Sequence, residues 1–173
     1  EPPDPAQAAR VRAPFARVRE AIVRLRADTV TVVGDDHYTM FGPQIQPRLL
    51  IGIGDVEGPI EPWLNIRRGP VANDTELASH LMHYGFDHGF DWAVSKTLSL
   101  DHSTMVPIHL AVPPGMPVVP VYISCGTSPL ISGLRCRQLG EMLGQAVSAL
   151  PHHPRVVILG TGGSSLGGQT LAQ

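Results

Sequence analysis

T-V-V-G-D-D-H-Y-T-M-F, residues 31–41, is an apolar β-branched run that delivers Asp35, Asp36 and His37 abruptly at its carboxyl end. In an open α/β sheet, ligands and metals bind beyond the carboxyl ends of the strands. Two further segments have the same form: L-S-L-D-H-S-T-M-V-P at 98–107 and V-V-I-L-G-T-G-G at 156–163. Three such strand ends meeting on one rim would build a single site.

Working outward from that run, helix and strand alternate. A helix is expected over 5–27, a strand over 29–33, and a short strand over 49–53. Pro59, Pro62, Gly69 and Pro70 mark an extended loop between it and the next helix. Asn73, Asp74 and Thr75 offer capping side chains and Asn73 and Glu76 have capping-box spacing, so that helix should run to Tyr84 with Leu77, Leu81 and Tyr84 buried, and Gly85 should end it. Residues 92–96 read as a strand, 106–112 as a short apolar segment, and 118–123 as a strand buried on both faces. An amphipathic helix over 133–150 stops at Pro151 and Pro154, and 155–159 reads as a final central strand. This order predicts a single α/β domain over 1–173: a mainly parallel central sheet with helices on both faces.

Composition narrows the function classes. The chain has 173 residues, 43% hydrophobic and 16% charged, which is enough to bury a core and too apolar for disorder. A formal charge of −2 gives no basic field, so nucleic acid is not an expected partner. The arginines from Arg10 to Arg26 are expected on the solvated face of the first helix, opposite Val11, Phe15, Val18, Ile22 and Leu25. No apolar run reaches the roughly 20 residues that span a bilayer. Two cysteines without metal-finger spacing read as reduced cytoplasmic thiols.

Each chemical candidate has a structural counterpart. His37 offers an imidazole, the commonest metal ligand, with Asp35 and Asp36 able to orient it; equally, Gly-Asp-Asp after a strand is ordinary turn chemistry. His102 is a candidate general acid/base, with Asp101 beside it; structurally, Asp101 would be an N-cap and His102 a first-turn residue. The glycine-rich run 160–168 could cradle an anion or serve as a flexible turn, and it lacks the phosphate-loop lysine. His80 and His83, His109, and His152 with His153 read as surface or packing residues, and Cys125 as a small buried residue.

Together these segments resemble the class III, LigB-type, extradiol ring-cleaving dioxygenases. The resemblance covers nearly the whole chain: D-P-A-Q at 4–7, V-V-G-D-D-H-Y-T-M-F at 32–41, I-G-I-G at 51–54, L-D-H-S-T-M-V-P at 100–107, V-P-V-Y-I at 119–123 and I-L-G-T-G-G at 158–163. It implies a LigB-like fold, a non-haem Fe(II) held by two histidines and a glutamate, a catecholic substrate and O2. By the resemblance His37 is an iron ligand, His102 the acid/base or substrate-orienting residue, and Asp36 and Asp101 support them. Homo- or hetero-oligomers are also implied.

The family's first iron histidine precedes D-P-A-Q and its glutamate follows G-T-G-G. In place of the family's G-G-L-S-H, this chain has Gly162, Gly163, Ser164, Ser165 and Leu166. The expectation is therefore that 1–173 is an incomplete part of a longer LigB-type catalytic domain. The alternative is a non-catalytic LigB-like subunit or paralogue lacking a complete iron site. A third reading is a small-molecule binding domain that uses the 160–168 turn for an anion.

Overall fold

The structure is a computed structural model and describes residues 4–36, 38–126 and 128–161. The element order is α1 (Pro5–Arg24), β1 (Thr29–Asp35), β2 (Leu49–Gly58), a single 3₁₀ turn (Pro62–Leu64), β3 (Gly69–Val71), α2 (Thr75–Asp87), β4 (Ala93–Ser99), α3 (His102–Ala111), β5 (Val118–Ile123), α4 (Gly133–Ser148) and β6 (Val156–Gly160). The strands form one sheet in the order β3-β2-β5-β1-β6, with β4 also paired to β2. Pairings β1–β5, β1–β6 and β2–β4 are parallel, whereas β2–β3 and β2–β5 are antiparallel. The expected mainly parallel sheet with helices on both faces is thus present, with reversals of direction between β5 and β2 and between β2 and β3.

Central strands are buried on both faces because they carry β-branched and leucine residues at nearly every position. On one face, Leu49, Ile51, Val119 and Val121 pack with Leu77 and Leu81 of α2 and Leu139, Leu143 and Ala146 of α4. On the other, Leu50 and Tyr122 pack with Leu98, Leu100 and Met105, and Val30, Val32 and Val118 pack with Ile22 of α1 and Val112. Each fully buried side chain of this size contributes about 1.5–3 kcal/mol.

Several elements differ from the sequence reading, each for a local reason. β2 runs on to Gly58, with its register to β4 shifting between Gly52 and Asp55. Asn73 does not cap α2. Its amide Nδ2 donates to Gly52 O (3.2 Å) and Gly54 O (2.8 Å) at that shift, and Asp74 caps instead by accepting from Leu77 N at 3.0 Å. Gly85 lies inside α2: a Cβ there would sit 2.2 Å from Trp92 Nε1, so the glycine admits the indole and does not end the helix. Tyr84 is half-buried. The loop expected between Pro59 and Pro70 holds the 3₁₀ turn and part of β3. Among the described residues β6 pairs with β1 alone, so it is a border strand and not a central one. The apolar stripe of α1 is mostly uncovered, with Val11, Val18 and Leu25 exposed and Ile22 buried. Among its arginines, Arg19 is half-buried and donates across to the carbonyls of His109 and Leu110 in α3.

Because β4 is parallel to β2 and β2 is antiparallel to β5, β4 runs opposite to β1. The Asp101–His102 segment therefore does not arrive at the rim as the end of a parallel strand. It arrives as the first turn of α3, laid against the sheet where β1 ends. A Cβ on Gly34 would stand 2.7 Å from Ser103 Oγ and 2.9 Å from Thr104 Cγ2. Gly34→Ala should therefore cost about 1–3 kcal/mol by overpacking, read as a lower denaturation midpoint. An unchanged midpoint would mean that α3 is free to shift.

Candidate active site

Asp101 is fully buried and caps α3. Its Oδ1 accepts from Ser103 N (3.1 Å), Ser103 Oγ (2.7 Å) and the Tyr122 hydroxyl (3.1 Å). The last of these leaves the Tyr122 oxygen to accept from Thr104 Oγ1 at 2.6 Å. Thr161, just past β6, donates its hydroxyl to Ser103 O at 2.7 Å and its N–H to Val33 O at 2.9 Å. The ends of β1, β5 and β6 and the first turn of α3 are thus bonded into one unit. Of the three segments expected to meet, the ends of β1 and β6 do meet here, and Asp101–His102 joins them as a helix N-terminus and not as a strand end.

Next to this unit, His102 is half-exposed and its backbone N–H donates to Glu61 Oε1 at 3.2 Å. Its ring Nδ1 lies 2.7 Å from the same oxygen. Trp63, 69% exposed, flanks the imidazole with ring centroids 5.9 Å apart and planes at 47°. Burial pushes the Asp101 carboxyl up, and the bonds from Ser103 and Tyr122 pull it down less than burial raises it. Burial and then the Asp101 charge hold Tyr122 well above its usual range, so its hydroxyl remains a donor.

Of the residues singled out in the sequence, Asp101 and His102 are neighbours here, and the structural description of them holds: Asp101 is the N-cap and His102 opens the helix. His37 lies outside the described residues, as does the glycine-rich run beyond Thr161. Asp36 is buried and makes a turn, its Oδ1 accepting from Thr39 N (3.2 Å) and Met40 N (2.9 Å). Its Oδ2 has no hydrogen-bond partner among the described residues. Cys125 is exposed, not buried as expected. Partial burial of its sulfur, then the Asp35 carboxylate, push the thiol up to about 12, which leaves it a poor nucleophile. His80 packs through Nε2 on Ala146 O at 2.8 Å.

Glu61, Trp63, Tyr122 and Thr161 were not found by sequence reasoning. Tyr122 was read as part of a buried strand, and its hydroxyl is the one signal that it needed a partner. Glu61 sits in P-I-E-P-W, where a lone acid between prolines has no periodicity to read.

Glu61, Asp101 and His102 place three potential ligand atoms within 4.8 Å of one another. They do not fit an iron set of two histidines and one carboxylate. They supply a single imidazole, whose Nδ1 is bonded to Glu61, and Asp101 Oδ1 already accepts three hydrogen bonds. The arrangement sets a half-exposed imidazole against two buried carboxylates.

A family model described as the catalytic LigB subunit of aromatic ring-opening dioxygenase matches residues 2–166. The chain belongs to the LigB family. It is 32% identical over 166 residues to the 2,3-dihydroxyphenylpropionate/2,3-dihydroxicinnamic acid 1,2-dioxygenase of Klebsiella pneumoniae (strain 342), an alignment covering 94% of this chain and 51% of the relative. The proteins of the same name from Escherichia coli O139:H28 (strain E24377A / ETEC) and Escherichia coli (strain K12 / DH10B) match with the same identity and coverage. The chain thus spans about half the length of the curated relatives it matches. Among the described residues no helix is long and apolar enough to cross a membrane.

Proposed function

We propose that this LigB-family chain forms part of an Fe(II)-dependent extradiol dioxygenase that opens a catecholic ring with O2, in the cytoplasm and within an oligomer. The observation that carries the reading is His102: an imidazole edge at the surface, against an exposed aromatic ring and backed by buried carboxylates, on a family match covering nearly the whole chain. Extradiol cleavage adds both oxygen atoms of O2 to the substrate and breaks the ring carbon–carbon bond beside the two hydroxyls. The catechol must lose its hydroxyl protons and the opened product must regain one. His102 is the group assigned to that traffic, because an imidazole can both take and give a proton. Trp63 would bound the substrate ring on one side. Asp101 holds the first turn of α3 in place, and Asp36 shapes the turn that follows His37.

His37 is the residue of this chain assigned to iron. The natural protein that contains this chain, reconstituted with Fe(II), should open a catechol to a yellow ring-fission product, followed by its absorbance and by O2 uptake. His37→Ala should lose the iron and all turnover, measured by metal analysis beside the assay. Retention of full iron by His37→Ala would reject the ligand assignment. Absence of turnover in the reconstituted wild type would favour the non-catalytic LigB-like subunit.

A further inference from the structure

We propose that Glu61 is the positioning residue for His102: its carboxylate holds Nδ1, so that Nε2 is the atom that exchanges a proton with substrate. The inference rests on the ring-cleavage reading for the substrate alone, since the hydrogen bonds exist independently of it.

Glu61 Oε1 accepts the backbone N–H of His102, which fixes that oxygen as an acceptor beside the ring. The ring nitrogen 2.7 Å away is then the donor, and Nδ1 carries the hydrogen. A neutral imidazole has one N–H, so Nε2 holds the lone pair. The neutral ring is therefore a base at Nε2, and the cation is an acid at the same atom. Free imidazole rings interchange these tautomers, and a carboxylate on one nitrogen removes that freedom.

The carboxylate is itself held. Glu61 is buried, and the preceding residue, Ile60, donates its N–H to Leu100 O at 2.8 Å, tying the loop to the end of β4 just before α3. Pro62 follows and opens the 3₁₀ turn that carries Trp63, whose ring stands beside the imidazole. Among the described residues, the titratable groups close to the ring include Glu61 from this loop, Asp101 from the α3 cap and, through Asp101, the Tyr122 hydroxyl from β5. Asp101 Oδ1 is spent on Ser103 and Tyr122, so Glu61 is the carboxylate bonded to Nδ1.

A purely structural Glu61 would only cap α3 and anchor its loop, and two variants separate the roles. In iron-free protein, long-range ¹H–¹⁵N spectra of the His102 ring should report the Nδ1–H tautomer in the wild type. Glu61→Gln should keep it, because an amide oxygen still accepts. Glu61→Ala should release it towards Nε2–H. With iron and a catechol, Glu61→Ala should lower kcat by about 10–100-fold with KM within about threefold, and Glu61→Gln should recover most of that loss. An unchanged tautomer in Glu61→Ala, or a loss confined to KM, would overturn the assignment. A wild type that opens no catechol would reject the dioxygenase reading, and the spectra would still decide the role of Glu61.

Discussion

His102→Phe should lower catechol turnover by about 10²–10⁴-fold, the range supplied by a positioned general acid/base, while iron content stays at the wild-type level. Phenylalanine keeps a planar ring of similar size beside Trp63, so the wall of the site is preserved and the proton-exchanging nitrogen is removed. Glu61 loses its ring donor and keeps the backbone N–H of residue 102. The cost to folding should therefore be limited to about 1–3 kcal/mol for one weakened buried carboxylate, which circular dichroism and a melting curve would separate from the catalytic loss. Turnover within about threefold of wild type, which would correspond to well under 1 kcal/mol in the barrier, would remove His102 from the chemistry. A parallel loss of iron would mean that His102 touches the metal environment, contrary to its assigned role.

The contrast between His102 and Glu61 marks what a sequence of this kind discloses. His102 was legible because Asp-His at the end of an apolar run is a local pattern. β5 was legible because Val118 to Ile123 is dense in β-branched residues despite Pro120, and the structure gives those same bounds. Asp101 as a helix cap follows from its position before Ser103 and Thr104. Glu61 was not legible because its partner lies 41 residues further along the chain, and nothing in P-I-E-P-W announces where the loop will fold.

Gly85 misled for a related reason. A glycine near the end of an apolar period signals helix termination when the backbone decides, yet here the indole of Trp92 decides, from a different element. The face of α1 shows the limit of periodicity. Val11, Val18 and Leu25 keep helical spacing, but their burial depends on what lies opposite, and α3 covers only part of that side. The reversal of β4 relative to β1 was likewise invisible, since strand direction is set by pairing and not by composition.

Asp101 should give the largest effect on stability, and its two substitutions should move in different ways. Asp101→Ala removes the cap of α3 and leaves the Ser103 and Tyr122 hydroxyls without their acceptor inside the core. The expected loss is about 2–4 kcal/mol, or roughly 5–15 °C in melting temperature for a chain of this size. Asp101→Asn keeps an oxygen in the Oδ1 position for the same donors and removes the charge, so near pH 4 it should lie within about 1 kcal/mol of wild type.

Its pH dependence then tests the electrostatics. Burial raises the folded-state value of the Asp101 carboxyl. The stability linked to its proton is complete below the unfolded value, about 3.9, and is lost as pH rises through the higher folded value. The asparagine variant has no such proton to lose. Its melting temperature relative to wild type should climb between about pH 4 and neutrality. A relative melting temperature that stays flat or falls over that interval would mean that the ionised Asp101 is stabilised in the fold by Ser103, Tyr122 and His102 more than burial opposes it. The α3 N-terminus would then be held together by charge, and not by a carboxyl retained in spite of its charge.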